Sequence, residues 1–165
     1  MKKLWIIRHA KSSWKNPHLK DFDRPLNSRG KRDAPFMGKL LYKNSIRPDA
    51  IISSTAKRTK LTALNIAKEV GFPITNIEWS SKLYLCTRST SMNIIENLDS
   101  RHDTVFIIGH NPCLTDLSNY LSGELISNIP TAGMVELCFQ INDWSAVSKD
   151  LAKINRFEYP KKYLV

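Results

Sequence analysis

Short apolar runs alternate with longer stretches of helical periodicity along this chain, and that rhythm predicts a domain of the α/β class. Leu4 to Ile7 reads as a buried strand, Ala50 to Ser53 as a second and Thr104 to Ile108 as a third. Val135 to Phe139 and Leu151 to Phe157 follow as further strands. Leu151, Lys153 and Asn155 alternate with their neighbours, which places the last strand at a sheet edge. Ile77 to Trp79 adds a short strand. Between these lie helix-period segments. Ser28 is positioned to cap a helix reaching Lys43, with Pro35 bending or restarting it. Thr55 to Val70 carries Leu61, Leu64, Ala67 and Val70 at threefold spacing, widened by Ala63 and Ile66, and Gly71 closes it. Ser91 to Leu98 is a weaker helix, and Leu114 to Leu121 is one closed by Gly123. Lys11 to Leu26 is polar and broken by Pro17 and Pro25, so a long loop is expected there.

With 165 residues and no linker or repeat, residues 1–165 are expected to form a single domain. The basic start Met1-Lys2-Lys3 leads into an apolar run that ends after four residues at Arg8. A secretory core needs roughly 7–15 apolar residues, so export is not expected and the reading is cytoplasmic, without membrane insertion. Cys86, Cys113 and Cys138 are odd in number and far apart. Neither a disulfide framework nor a zinc site is expected from that pattern, and three reduced thiols in or near the core are. Trp14, Trp79 and Trp144 are expected to be partly buried rather than to form a docking surface.

The net charge of +10 is concentrated in Lys11 to Lys43 and Lys149 to Lys162. Such charge suits nucleic acid, an anionic surface or a phosphorylated substrate. No nucleic-acid recognition motif accompanies it, so charge alone does not choose among these.

The chemistry lies at the strand ends. Arg8-His9 follows the first strand, Ser54-Thr55-Ala56-Lys57-Arg58 the second, and Gly109-His110-Asn111-Pro112 the third. Open α/β sheets bind ligands outside the carboxyl ends of their strands. Two arginines, two histidines and helix N-termini meeting there make an anion pocket with an imidazole inside it.

These segments resemble the motifs of the histidine phosphatase superfamily. Leu4-Trp5-Ile6-Ile7-Arg8-His9-Ala10 is similar to its first motif, and Ser53 to Thr59 to the second. Gly109-His110-Asn111-Pro112 is similar to the third, and Asp23-Arg24-Pro25-Leu26-Asn27-Ser28-Arg29-Gly30 to the segment before its first helix. The short chain and the Arg8-His9-Ala10-Lys11-Ser12 start look most like the SixA-type phosphohistidine phosphatases. The resemblance implies a phosphoglycerate mutase-like three-layer sandwich, with a mostly parallel sheet flanked by helices. It implies that His9 attacks phosphorus and becomes a phosphohistidine, that Arg8 and Arg58 hold the phosphoryl oxygens, and that His110 donates to them as a cation. Lys11, Ser12 and Asn111 are candidate substrate-binding residues. No metal and no cofactor is implied, because the arginines neutralise the charge. The implied partner is a phosphate-bearing substrate, with a histidine-phosphorylated protein foremost. A monomer that does not bind nucleic acid is expected. Ala10 departs from the glycine usual in the first motif, and its methyl is expected to point away from the phosphate.

Lys82 to Thr90 holds no carboxylate, and Asn111 stands where another branch of the superfamily has its acid. An alkoxide leaves poorly without a proton donor, whereas a phosphoramidate nitrogen takes its proton from solvent. The missing acid therefore favours a P–N substrate, unless Asp21 or Asp23 reaches the site. Phosphatases of small phosphate esters, a non-catalytic phosphate-binding module and a nucleic-acid binder are the competing readings.

Overall fold

The computed structural model describes residues 1–164. Their sheet has six strands: β1 (Lys2–Arg8), β2 (Ala50–Ser54), β3 (Glu78–Ser80), β4 (Thr104–Gly109), β5 (Met134–Phe139) and β6 (Lys153–Glu158). Their order is β3-β2-β4-β1-β5-β6. The first four in that order run parallel, and β5 and β6 are antiparallel additions. Four helices cover the sheet: α1 (Ser28–Lys43), α2 (Lys57–Val70), α3 (Arg88–Glu96) and α4 (Cys113–Ser122).

Side-chain alternation explains the three layers. In β1, Trp5 and Ile7 face a core shared with Ala34, Met37 and Leu41 of α1 and with Ala63, Ile66 and Val70 of α2. Leu4 and Ile6 face the opposite core, with Ile95 of α3 and Leu114, Leu117 and Leu121 of α4. β4 divides in the same way, with Phe106 and Ile108 on one side and Val105 and Ile107 on the other. Strands apolar on both faces are what a sheet buried on both sides requires. β6 lies at the edge, and Leu151, Lys153 and Asn155 face outward as their alternation predicts.

Four local expectations are corrected. Asn27 rather than Ser28 caps α1, its side chain accepting from the Gly30 amide, and the helix runs through Pro35 without interruption. The buried stripe of α2 is Thr59, Thr62, Ala63, Ile66, Ala67 and Val70, while Leu61 and Leu64 lie at its margin. Cys86 and Cys113 form a disulfide across 27 residues, with their Cα atoms 6.2 Å apart, and Cys138 is free. Trp144 is wholly buried, whereas Trp14 is exposed with the Arg24 guanidinium stacked on its ring. Gly71 and Gly123 close α2 and α4 in the left-handed conformation, at φ of 74° and 69°. No described helix is long and apolar enough to cross a membrane.

Candidate active site

The site is set by sheet register. β1 and β4 pair in parallel with Arg8 opposite Gly109, so the next residues, His9 and His110, leave adjacent strands side by side. Their ring centroids are 5.3 Å apart. β2 lies on the far side of β4, and its end delivers Ser54 and the start of α2. Arg58 lies in the first turn of that helix and is buried. α2 has no side-chain N-cap, so its first-turn amides are open to an anion, whereas in α4 the Leu114 amide donates to the His110 carbonyl and the Thr115 amide to the Asn111 side chain.

His9 is held by its own loop. Its Nδ1 lies 2.7 Å from the carbonyl oxygen of Ala10. A carbonyl only accepts, so Nδ1 carries the proton and Nε2 keeps its lone pair. Burial lowers the His9 pKa to about 3, against the pull of the Ala10 carbonyl and with help from His110, Arg58 and Arg8. The imidazole is therefore neutral at pH 7, as a nucleophile must be. The Ala10 amide donates to Thr62 Oγ1 and the Ala10 methyl is packed in the core, so this departure from glycine is absorbed away from the pocket.

His110 shares a 2.8 Å hydrogen bond between Nε2 and the Ser54 hydroxyl. Its Nδ1 is buried without a partner among the described residues. Burial first, and then Arg58, bring its pKa down to about 4. The expected cation is thus absent with only protein groups around it, and an added anion is needed to make one. Arg8 donates through Nη1 to the Ile129 carbonyl, while its Nε is buried and unpartnered among the described residues. Burial and the nearby Arg58 both press its pKa downward.

Asp21 does reach this site. Arg58 donates through Nη1 to the Asp21 carbonyl at 2.7 Å and through Nη2 to its carboxylate at 3.0 Å. The Tyr84 hydroxyl donates to the same carboxylate, and Arg24 reaches its other oxygen. Partial burial raises the Asp21 pKa, but the bonds from Tyr84 and Arg58 outweigh it and hold it at about 2. Asp23 is exposed and makes no side-chain bond to these groups.

The other candidates separate. Lys11 lies at the rim, beside Arg8 in a broad cavity. Ser12 is buried and its hydroxyl accepts from Arg24 at 2.6 Å, which ties the loop down. Asn111 donates to Asn128 and the Ile129 carbonyl, and accepts from Thr115, so its amide is spent on holding neighbouring loops. Sequence reasoning missed Tyr84, whose ring stands edge-on to His110 at 5.5 Å. It also missed Ser54 and Thr62 as partners of the segments that carry His110 and His9. Ser54 lay in a quoted motif, but its hydroxyl bond depends on strand spacing that sequence does not print.

Residues 4–79 match the model of the histidine phosphatase superfamily, branch 1. An uncharacterized chloroplastic protein of Arabidopsis thaliana is 30% identical over 133 residues, which is 76% of this chain. The chain spans 61% of that relative's length. SixA of Agrobacterium tumefaciens is 26% identical, superposes with a TM-score of 0.80, and the match covers 96% of this chain and 98% of that one. The protein histidine phosphatase SixA in complex with tungstate has a TM-score of 0.83 at 19% identity, covering 97% of this chain and 98% of that one.

Proposed function

Because residues 4–79 match the histidine phosphatase superfamily and a SixA structure matches over 96% of the chain, we propose that the chain is a metal-independent phosphatase of that superfamily, acting through a phosphohistidine on His9, with phosphohistidine on proteins as its substrate. The observation that carries this reading is the state of His9. It is a neutral, buried imidazole with Nδ1 bound to the Ala10 carbonyl and Nε2 unpartnered, beside Arg8, Arg58 and His110. Nε2 attacks phosphorus and the P–N or P–O bond to the leaving group breaks. Arg8, Arg58 and His110 take up the charge on the equatorial oxygens. Water then attacks the phosphohistidine, releasing phosphate and restoring His9.

The preference for nitrogen as leaving atom rests on Asp21. It is the carboxylate bound to Arg58, and the hydrogen bonds from Tyr84 and Arg58 keep it ionised far below pH 7. A carboxylate held at about 2 is a poor proton donor to an alkoxide, whereas a leaving imidazole is protonated by solvent. A second reading, hydrolysis of small phosphate esters, is favoured by the half-exposed rim around Lys11. The test is phosphate release from a histidine-phosphorylated peptide and from para-nitrophenyl phosphate, by wild type and His9→Ala, without added metal. Faster turnover of the peptide, lost in the variant by at least about 10³-fold, is expected. Equal efficiency on both substrates would remove the P–N preference. Full activity in the variant would remove the nucleophile.

A further inference from the structure

The two basic stretches of the sequence converge on one cleft. Lys11 from the loop after β1, Arg29 and Arg32 from the start of α1, and Lys161 from the C-terminal turn line a cavity of about 610 Å³, together with Arg8. Arg8 immediately precedes His9, so the cleft adjoins the phosphoryl pocket. Its one acid among the described residues is Asp33, which is buried and bound by Arg32 at 2.8 Å. Arg29 makes only a long bond to Thr131, and Lys11 and Lys161 meet no carboxylate among the described residues. Four cations, Arg8, Lys11, Arg29 and Lys161, are therefore left facing a space far larger than one phosphoryl group. The remaining walls include Pro130, Tyr159, Pro160 and Leu164. Tyr159 is the one aromatic ring there, and it carries the Lys162 ammonium at 5.6 Å and packs against Phe157, so it offers no free platform for stacked bases.

We propose that this cleft binds an acidic segment of the substrate polypeptide, within a few residues of the phosphorylated histidine. The inference rests on the reading of the protein as a phosphohistidine phosphatase and adds the sequence character of its substrate. The cleft opens at the residue next to the nucleophile, so it holds groups covalently close to the transferred phosphoryl group. In a phosphohistidine substrate those groups are polypeptide.

The experiment compares phosphohistidine peptides flanked by Asp and Glu with peptides flanked by Ser and Gly. Wild type and an Arg29→Ser/Lys161→Ser double variant are measured on both, with para-nitrophenyl phosphate as control. Wild type is expected to favour the acidic peptide by about tenfold in kcat/KM at about 50 mM salt, with the gap shrinking near 0.5 M. The double variant is expected to lose the gap while hydrolysing para-nitrophenyl phosphate as before. Equal rates on the two peptides in wild type, or a gap that survives in the double variant, would overturn the proposal. Binding of a labelled, unphosphorylated acidic peptide to His9→Ala separates the two readings. If that peptide binds through Arg29 and Lys161 while neither phosphopeptide is hydrolysed, the acidic cleft stands and the phosphatase reading falls. If both phosphopeptides are hydrolysed but the labelled peptide does not bind, the cleft falls and the phosphatase stands. Displacement of the labelled peptide by tripolyphosphate at equal charge concentration, with no discrimination between flanking sequences, would mark a small-anion site and overturn the proposal.

Discussion

Arg58 has a partner before any substrate reaches it. Asp21 takes two of its donors, one with the backbone and one with the carboxylate, and Tyr84 holds the carboxylate in place. The ion pair orients the guanidinium, yet it also sets a negative charge beside the proposed position of the phosphoryl group. Asp21 is 47% exposed, so water weakens this pair, and its significance lies in position rather than in stability. Asp21→Asn keeps an acceptor for Arg58 and removes the charge. Competitive inhibition by inorganic phosphate is expected to tighten about fivefold, worth ~1 kcal/mol, as read from Ki with para-nitrophenyl phosphate. A weaker or unchanged Ki would mean that orientation of Arg58 matters more than repulsion. At this scale the sequence was most informative where a residue type has a narrow chemistry. His9, His110, Arg8 and Arg58 meet as the three strand ends foretold. Tyr84 and Ser54 stayed hidden because hydroxyls serve many roles, and only the folded loops bring them to His110.

Among the elements, α1 is positioned by a close approach that only glycine permits. A Cβ on Gly30 would sit 2.2 Å from the Lys11 carbonyl oxygen. The same oxygen accepts from the Asn27 amide, and Asn27 caps the helix. The start of α1 is thereby locked to the loop that follows His9. Gly30→Ala forces the two apart, and a loss of about 1–3 kcal/mol is expected in denaturant unfolding, with a larger proportional loss of activity than of stability. A fall in stability with activity per folded molecule intact would disconnect this contact from the site. The element pattern was legible because period and punctuation agree: strands apolar on both faces, and glycines just past α2 and α4. The cap of α1 was misplaced by one residue, since Asn27 and Ser28 are both good caps and only the backbone decides between them. The Cys86–Cys113 disulfide was not legible, because 27 residues separate its ends and α3 lies in the intervening chain. It joins the segment bearing Tyr84 to the first turn of the helix that follows His110.

For the molecule as a whole, the two buried imidazoles tie stability to pH. In the unfolded chain both titrate near the ordinary value of about 6.5, while in the fold they wait until about 3 for His9 and about 4 for His110. Between those values the unfolded chain binds more protons, so stability is fully present above about 6.5 and is lost as pH falls toward 4 and 3. The thermal midpoint is expected to drop across that interval, and His110→Asn to flatten the drop between about 6.5 and 4, leaving the part below 4 to His9. A midpoint that stays level from pH 6.5 to 4 would show that these side chains are not held neutral. The overall architecture follows from strand order, since β2, β4 and β1 are neighbours and deliver their loops to one edge. The same burial has a consequence for what enters. A phosphate group brings negative charge against two imidazoles that burial, aided by the neighbouring arginines, keeps neutral. Its arrival raises their proton affinity, so the site draws hydrogen ions from the solvent as it fills. Occupancy and acidity are then one coupled equilibrium: the anion is held more tightly as the medium becomes more acidic, and the protein buffers part of the charge that it captures.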